Sequence, residues 1–419
     1  MTMTIDNEHK NNQGRKVINA PNLRFPEFEG EWEKCKLGNI ANITGGYAFK
    51  SDTLNSIGGK YQVVKMGNLY QNQLDLHRSP SYTDTLTHKA ENVILRKDDI
   101  AITLTGTNNK RDFGYTYIFK DEKNLLLNQR CGLIRAKGNP YFLSCLLKTH
   151  TFLNQFFESA TGGTGNQANV STKAMEMFSV NTPSLKEQEK IGQLMALLDE
   201  RIATQNKVID KLQSLIKGIM ANLQKRGLKN NTWGKISLCD VLAERKELNK
   251  QLYPVFSVSV SQGVINQIEY LGRSFAAKDT SKYHVVYYGD IIYTKSPTGD
   301  FPYGIVKQNY NQEKVAVSPL YGVYVPKSYS IGVFLHEYFK SNVNTYNYLH
   351  PLIQKGAKNT INITNQHFLE NKVAMPLVEQ ELVRISNLIL SLNAKIMLMQ
   401  YLKDKYERQK QYLLRQMFV

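Results

Sequence analysis

The chain has 419 residues, more than one hydrophobic core usually supports, so two or more domains of about 100 to 200 residues are expected. Hydrophobic residues make up 42% and charged residues 21%, a balance that excludes wholesale disorder. With 53 basic against 36 acidic side chains the formal charge is +17, which suits nucleic acid first, and an acidic protein or membrane surface otherwise.

The opening MTMTIDNEHKNNQGRK lacks the apolar core of a signal peptide and reads as a disordered leader over residues 1–20. No apolar run reaches the ~20 residues that cross a bilayer, so the expectation is a cytoplasmic protein without a membrane. A first domain, 21–186, opens on EGEWEKCKLGNI, where Trp32 precedes a Lys-x-x-Leu step. Short runs rich in Val, Ile, Tyr and Thr, broken by Gly, Asn and Asp, then read as strands and turns.

Two of these turns, GGYAFK at Gly45 to Lys50 and TGTNNKRDF at Thr105 to Phe113, combine small residues with cations, amides and aromatics. Such side chains contact phosphate, bond base edges or stack, although any one such turn is more commonly a plain solvated loop. The candidates they supply are Tyr47, Lys50, Asn108, Asn109, Lys110 and Arg111. NPYF at Asn139 has one proline too few for an amino-methyltransferase motif and reads as a turn opening a helix over Tyr141 to Phe157. GGTGNQ at Gly162 to Gln167 lacks the lysine of a phosphate loop, and NVST follows it.

TPSLKEQEKI, Thr182 to Ile191, enters a long helix placed at 187–228, about 60 Å at 1.5 Å per residue. Met195, Leu198, Ile202, Gln205, Ile209, Leu212, Ile216, Ile219 and Leu223 recur at steps of three and four, the pattern of a coiled-coil seam. The proline and acidic residues suit a helix start, so the Glu-Gln-Glu triplet reads as an entry signal and not as acid–base machinery.

The sequence then repeats itself, in order, roughly 190–200 residues later. NNTWGKISLCDVL answers the first tryptophan with Trp233 and opens a second α+β domain, 229–378. VVYYGDIIYTKSPTGDFPYG aligns Asp290 with Asp99, and its turn offers Lys295, Thr298 and Tyr303. A helix is expected over Gly332 to Leu349. KGAKNTINITN aligns Asn362 with Asn169 and adds Lys355 and Lys358. MPLVEQELVRI aligns Glu379 with Glu187 and enters a second helix, 379–419. That helix carries Leu388, Leu392, Met399, Leu402, Tyr406 and Leu413 on one face, interrupted by Lys395 and Gln409. The architecture expected is two tandem α+β domains, each followed by a long helix, the two helices pairing as an antiparallel coiled coil.

No strand followed by Gly-x-Gly, no phosphate loop, no Pro-Asp dipeptide and no metal-ligand spacing among the eight histidines stands out in the sequence. Cys35, Cys131, Cys145 and Cys239 lie far apart and read as reduced thiols. Three readings stay open: a DNA reader, a DNA-modifying enzyme with a divergent site, and a coiled-coil adaptor with an incidental basic surface.

On LRFPEFEGEWEKCKLGNI, the DDIAITLTGT and GDIIYTKSPTG pair, NVST and NITN, and the two Pro-to-Glu-Gln-Glu helix entries, the chain resembles a specificity subunit of a type I restriction-modification system. The resemblance implies two target-recognition domains reading a bipartite, asymmetric double-stranded DNA target, with the helices as spacer and docking surface. It further implies two methyltransferase subunits and, for restriction, two motor-nuclease subunits as partners. S-adenosylmethionine, ATP and Mg would sit on those partners, with no catalytic residue, cofactor or metal on this chain. Heads about one B-DNA turn apart, ~34 Å or a multiple, would skip the base pairs between them.

Overall fold

The computed structural model describes residues 4–5, 19–107, 110–162, 167–274, 276–355 and 361–419. By contact they form two units: one comprises the chain up to Gln205 together with Tyr401–Val419, and the other comprises Asn206–Gln400.

In the first unit a four-stranded antiparallel sheet has the order Ala41–Gly45, Cys131–Ala136, Ile100–Thr103, Thr116–Ile118. Its two faces explain the unbroken apolar run DDIAITLT. Ile100 and Ile102 enter one core with Ile43 and Ile134, while Ala101 enters another with Cys131 and Leu133. Alternate residues of a strand point to opposite faces, so a strand covered on both faces is apolar throughout. The second unit repeats the order with Leu242–Glu244, Gly322–Pro326, Ile291–Tyr293 and Val306–Gln308, and sends Ile291 and Tyr293 to one core and Ile292 and Val323 to another.

A two-stranded ladder closes each unit: Glu33–Lys36 with Ser179–Thr182 in the first, Trp233–Ser237 with Lys372–Pro376 in the second. Leu37 and Leu238, the leucines that follow the two tryptophans, are fully buried. The single helix expected over 141–157 is two helices, Pro140–Leu146 and His150–Glu158. Its counterpart is likewise Tyr329–Tyr338 and Asn342–Leu349. The breaks have the same cause, because the hydroxyls of Thr149 and Ser341 accept hydrogen bonds from the amides of Phe152 and Asn344 and start new helices. Within the leader, Thr4–Ile5 pair with Leu23–Arg24; its other residues up to 18 lie outside the described ones.

The long helices span Leu185–Lys229 and Glu379–Gln416. Ser184 caps the first through its hydroxyl, 3.4 Å from the Glu187 amide. In the first unit the start of the first helix packs with the end of the second, Met195 and Leu198 sharing a core with Tyr406, Leu413, Leu414 and Phe418. In the second unit Ile209, Leu212 and Ile216 pack with Leu392, Ile396 and Met399, and Leu223 lies in the core with Leu382 and Ile385. The pair is therefore an antiparallel coiled coil. Ile202, Gln205, Ile219 and Leu402 are half-buried on it, and the Gln205 side-chain oxygen has no partner among the described residues.

The row drawn through Leu388 and Lys395 needs correction. Leu388 is 44% exposed, whereas Ile389 and Ile396, one residue on, are 2% and 7% exposed. Leu382, Ile385, Ile389, Leu392, Ile396, Met399, Tyr406 and Leu413 make a seam that Lys395 and Gln409 do not enter. An 18-residue stretch of the second helix reaches a mean hydropathy of 1.4, so by length and composition alone that helix could cross a bilayer. Met397 and Leu398 outside the seam raise that value, and both are exposed.

Candidate nucleic-acid interface

Both units build their loop-bearing sheet end on the same aspartate turn. Asp99 accepts the Arg96 amide at 2.9 Å, and Asp290 accepts the Tyr287 amide at 2.8 Å. The residue before each has a left-handed backbone, Asp98 at φ 68° and Gly289 at φ 89°. Each carboxylate is held by a two-pronged guanidinium: Arg135 at 2.9 and 3.1 Å in the first unit, Arg245 at 2.7 and 3.0 Å in the second. Burial holds the Asp290 carboxyl above its ordinary range despite Arg245. The aspartates are legible as a repeat, but the arginines come from different strands and leave no colinear signal.

From this turn the chain runs into the first candidate loop. Strand Thr105–Thr107 pairs with Gln167–Asn169, and Thr105 donates to the Asn169 side chain at 2.9 Å. Asp112 closes the loop by accepting the Thr107 amide at 2.6 Å and the Thr107 hydroxyl at 2.8 Å, bonds that hold its carboxyl below the usual carboxylate range. Lys110 and Arg111 are exposed there, Arg111 with φ 50° and its guanidinium 5.1 Å from the Phe157 ring centre. Asn108 and Asn109 lie outside the described residues.

Lys50 is exposed on a separate segment. Tyr47 packs half-buried, edge-on to Phe49 at 4.9 Å, with its backbone bonded to Leu127 and Gln129, so its environment is that of a packing residue.

In the second unit Lys295, Thr298 and Tyr303 share one loop. Thr298 and Phe301 exchange both backbone hydrogen bonds at 3.0 Å, making a tight turn with Thr298 exposed. Gly304 ends the loop at φ 100°, where a Cβ would meet the Thr294 carbonyl oxygen at 1.8 Å, so only glycine fits. Lys295 is partly buried, which lowers its ammonium pKa while Glu244 opposes the shift. Half-buried Tyr303 lies tilted against exposed Tyr346 at 5.3 Å and exposed His350 at 5.9 Å, an aromatic group that the sequence reading missed because the end of the helix Asn342–Leu349 and its C-cap supply the other two members. Lys355 falls in strand Gln354–Lys355 with its side chain outside the description, and Lys358 is outside it altogether.

The other features settle simply. Asn139 caps the helix after it, its side chain accepting the Phe142 amide at 2.9 Å with Pro140 in the first turn. Of GGTGNQ, residues 163–166 lie outside the described ones. All four cysteines are free thiols, and burial pushes Cys131 up to about 12.

The family model for the type I restriction modification DNA specificity domain matches residues 29–214. The specificity subunit of the Escherichia coli type I restriction enzyme EcoAI is 29% identical over 185 residues, 43% of this chain and 30% of that protein. A putative type I restriction enzyme MjaX specificity subunit of Methanocaldococcus jannaschii is 22% identical over 225 residues, 51% of this chain and 50% of that protein. The crystal structure of a type I restriction-modification S subunit from M. genitalium has a similar fold, at a TM-score of 0.62 and 13% identity, covering 96% of this chain and 99% of that one. Residues 29–214 are thus similar in sequence to type I restriction-modification specificity subunits, and the chain shares the fold of one such subunit. Its matched stretches span half or less of the length of these curated relatives.

Proposed function

We propose that this chain is the DNA-reading subunit of a type I restriction-modification complex, without catalysis of its own. Each α+β unit would read one part of a bipartite, asymmetric target, and the helix pair would set the gap between them and dock partners. The observation that carries the reading is the duplication itself: one sheet order, one aspartate turn and one loop position occur twice, with different residues on the two loops. Equal frames with unequal loops are what two different half-sites require. Lys50, Lys110, Arg111, Lys295, Lys355 and Lys358 are assigned to phosphate or base contacts, and Asn108, Asn109, Thr298 and Tyr303 to base reading. Tyr47 keeps only a supporting role.

The partners of this reading are double-stranded DNA, two methyltransferase subunits and, for restriction, two motor-nuclease subunits, which would carry S-adenosylmethionine, ATP and Mg. The complex would work in the cytoplasm, away from membranes. Methylome sequencing of a host expressing its methyltransferase with and without this chain tests the reading. A bipartite methylated motif that appears only with the chain is expected. Sequence-specific methylation that is unchanged by removing it would sink the proposal.

A further inference from the structure

A hairpin in the first unit, Leu69–Tyr70 paired with Gln73–Leu74, lies outside every motif discussed so far. Its two turn residues, Gln71 and Asn72, have φ of 51° and 62°. This left-handed turn matches the twist of a hairpin and suits Gly, Asn or Asp. Asn72 fits that preference, and its side-chain oxygen accepts the Thr116 amide at 2.8 Å, tying the turn to the sheet. Gln71 does not fit it. A longer side chain is held in strained backbone where glycine would sit without strain.

Packing gives Gln71 no reason to be there. Gln71 and Gln73 are exposed, and neither side chain has a hydrogen-bond partner among the described residues. The surroundings are those of a recognition element. Tyr70, 50% exposed, sits edge-on to Tyr115 at 5.4 Å, and the Arg78 guanidinium lies 5.6 Å from the Tyr70 ring centre. Thr116, the anchor, follows directly on the loop that carries Lys110 and Arg111. The hairpin and the cationic loop therefore share one end of the strand Thr116–Ile118.

We propose that this hairpin is a base-reading element of the first unit, with Gln71 and Gln73 bonding base edges and Arg78 and Tyr70 beside them. A two-stranded ribbon fits a major groove about 12 Å wide, and a glutamine carboxamide makes a paired contact with adenine N6 and N7. Asn72 is the positioning residue. The inference rests on the DNA-reading function proposed above.

The test uses the full chain with its methyltransferase, reading the methylated motif, discrimination at each base pair and the melting temperature. Q71G removes the side chain and relieves the strained backbone, so the melting temperature should hold or rise. Discrimination at one base pair of the first half-site should nevertheless fall about tenfold or more, with the second half-site unchanged. Q73A should act in the same half-site, and N72G should blur it by freeing the turn. A Q71G/Q73A chain with wild-type discrimination would overturn the inference, as would a Q71G chain that melts well below wild type, since the residue would then be structural. A wild-type chain that confers no sequence-dependent methylation would remove the DNA-reading function itself, an outcome distinguishable from the other two.

Discussion

In the first unit the Arg24 guanidinium reaches Glu187 with two 2.8 Å bonds and the Trp32 indole adds a third at 3.3 Å; in the second, the Trp233 indole reaches Glu381 at 2.8 Å, and Glu381 has no ion-pair partner among the described residues. Glu187 is 1% exposed, and Glu381 is only half-buried. The shared part, an indole donating to a carboxylate in the first turn of a long helix, joins each domain to its helix. The arginine belongs to the unit whose carboxylate is fully desolvated. A buried carboxylate without its cation is costly, whereas a half-buried one is still helped by water.

That contrast can be broken by mutation. Arg24→Leu leaves Glu187 as an uncompensated buried charge and should destabilise the first unit by about 3–5 kcal/mol. Glu381→Gln keeps an acceptor for Trp233 and should cost the second unit about 1 kcal/mol or less. Hydrogen exchange of amides within each unit's own sheet reads the two effects separately, and equal losses would show that the two joints are energetically alike.

The next effect concerns the helix register. Ile396→Ala removes a buried seam side chain and should cost about 2–5 kcal/mol. Leu388→Ala, on an exposed face, should cost a few tenths of a kcal/mol. The reverse ranking in denaturant melts would restore the row through Leu388 and Lys395.

A smaller difference follows pH. Buried His336 accepts the Gln308 amide at 2.8 Å on Nδ1, and burial, with Lys340 and Lys307 adding to it, lowers its pKa well below 6.5. Below about pH 6.5 the unfolded chain takes up a proton that the folded chain refuses. The contribution is thus fully present above that pH and fades as pH falls, by at most about 1.4 kcal/mol per pH unit. The described histidines of the first unit, His77, His88 and His150, are exposed. Acidification from pH 7 to 5 should therefore loosen the second unit first, and His336→Asn, which keeps an acceptor, should flatten the response. Equal loosening of both units would exclude His336 as the cause.

The duplication, the α+β content and the antiparallel helix pair were legible in the sequence because periodicity and order survive divergence. Register was less so. Aligning the Glu-Gln-Glu triplets sets Glu379 against Glu187, yet the tryptophan contact identifies Glu381 as the counterpart. A triplet marks a helix entry; which carboxylate faces the indole depends on where the helix begins. The same one- or two-residue ambiguity put Leu388 in place of Ile389. Among the loops, residue type singled out Lys110, Arg111 and Thr298, but it also took in half-buried Tyr47. It missed Tyr346, His350 and the Gln71 hairpin, which reach the loops only through tertiary packing.

The most direct test of the central claim, two units reading two half-sites, is the methylated motif of a chain carrying Lys295→Ala and Thr298→Ala beside that of the wild type, each with its methyltransferase. The account predicts a two-part wild-type motif in which the variant relaxes one part while the other part and the gap stay unchanged. A motif altered in both parts, or a single continuous motif, would contradict it.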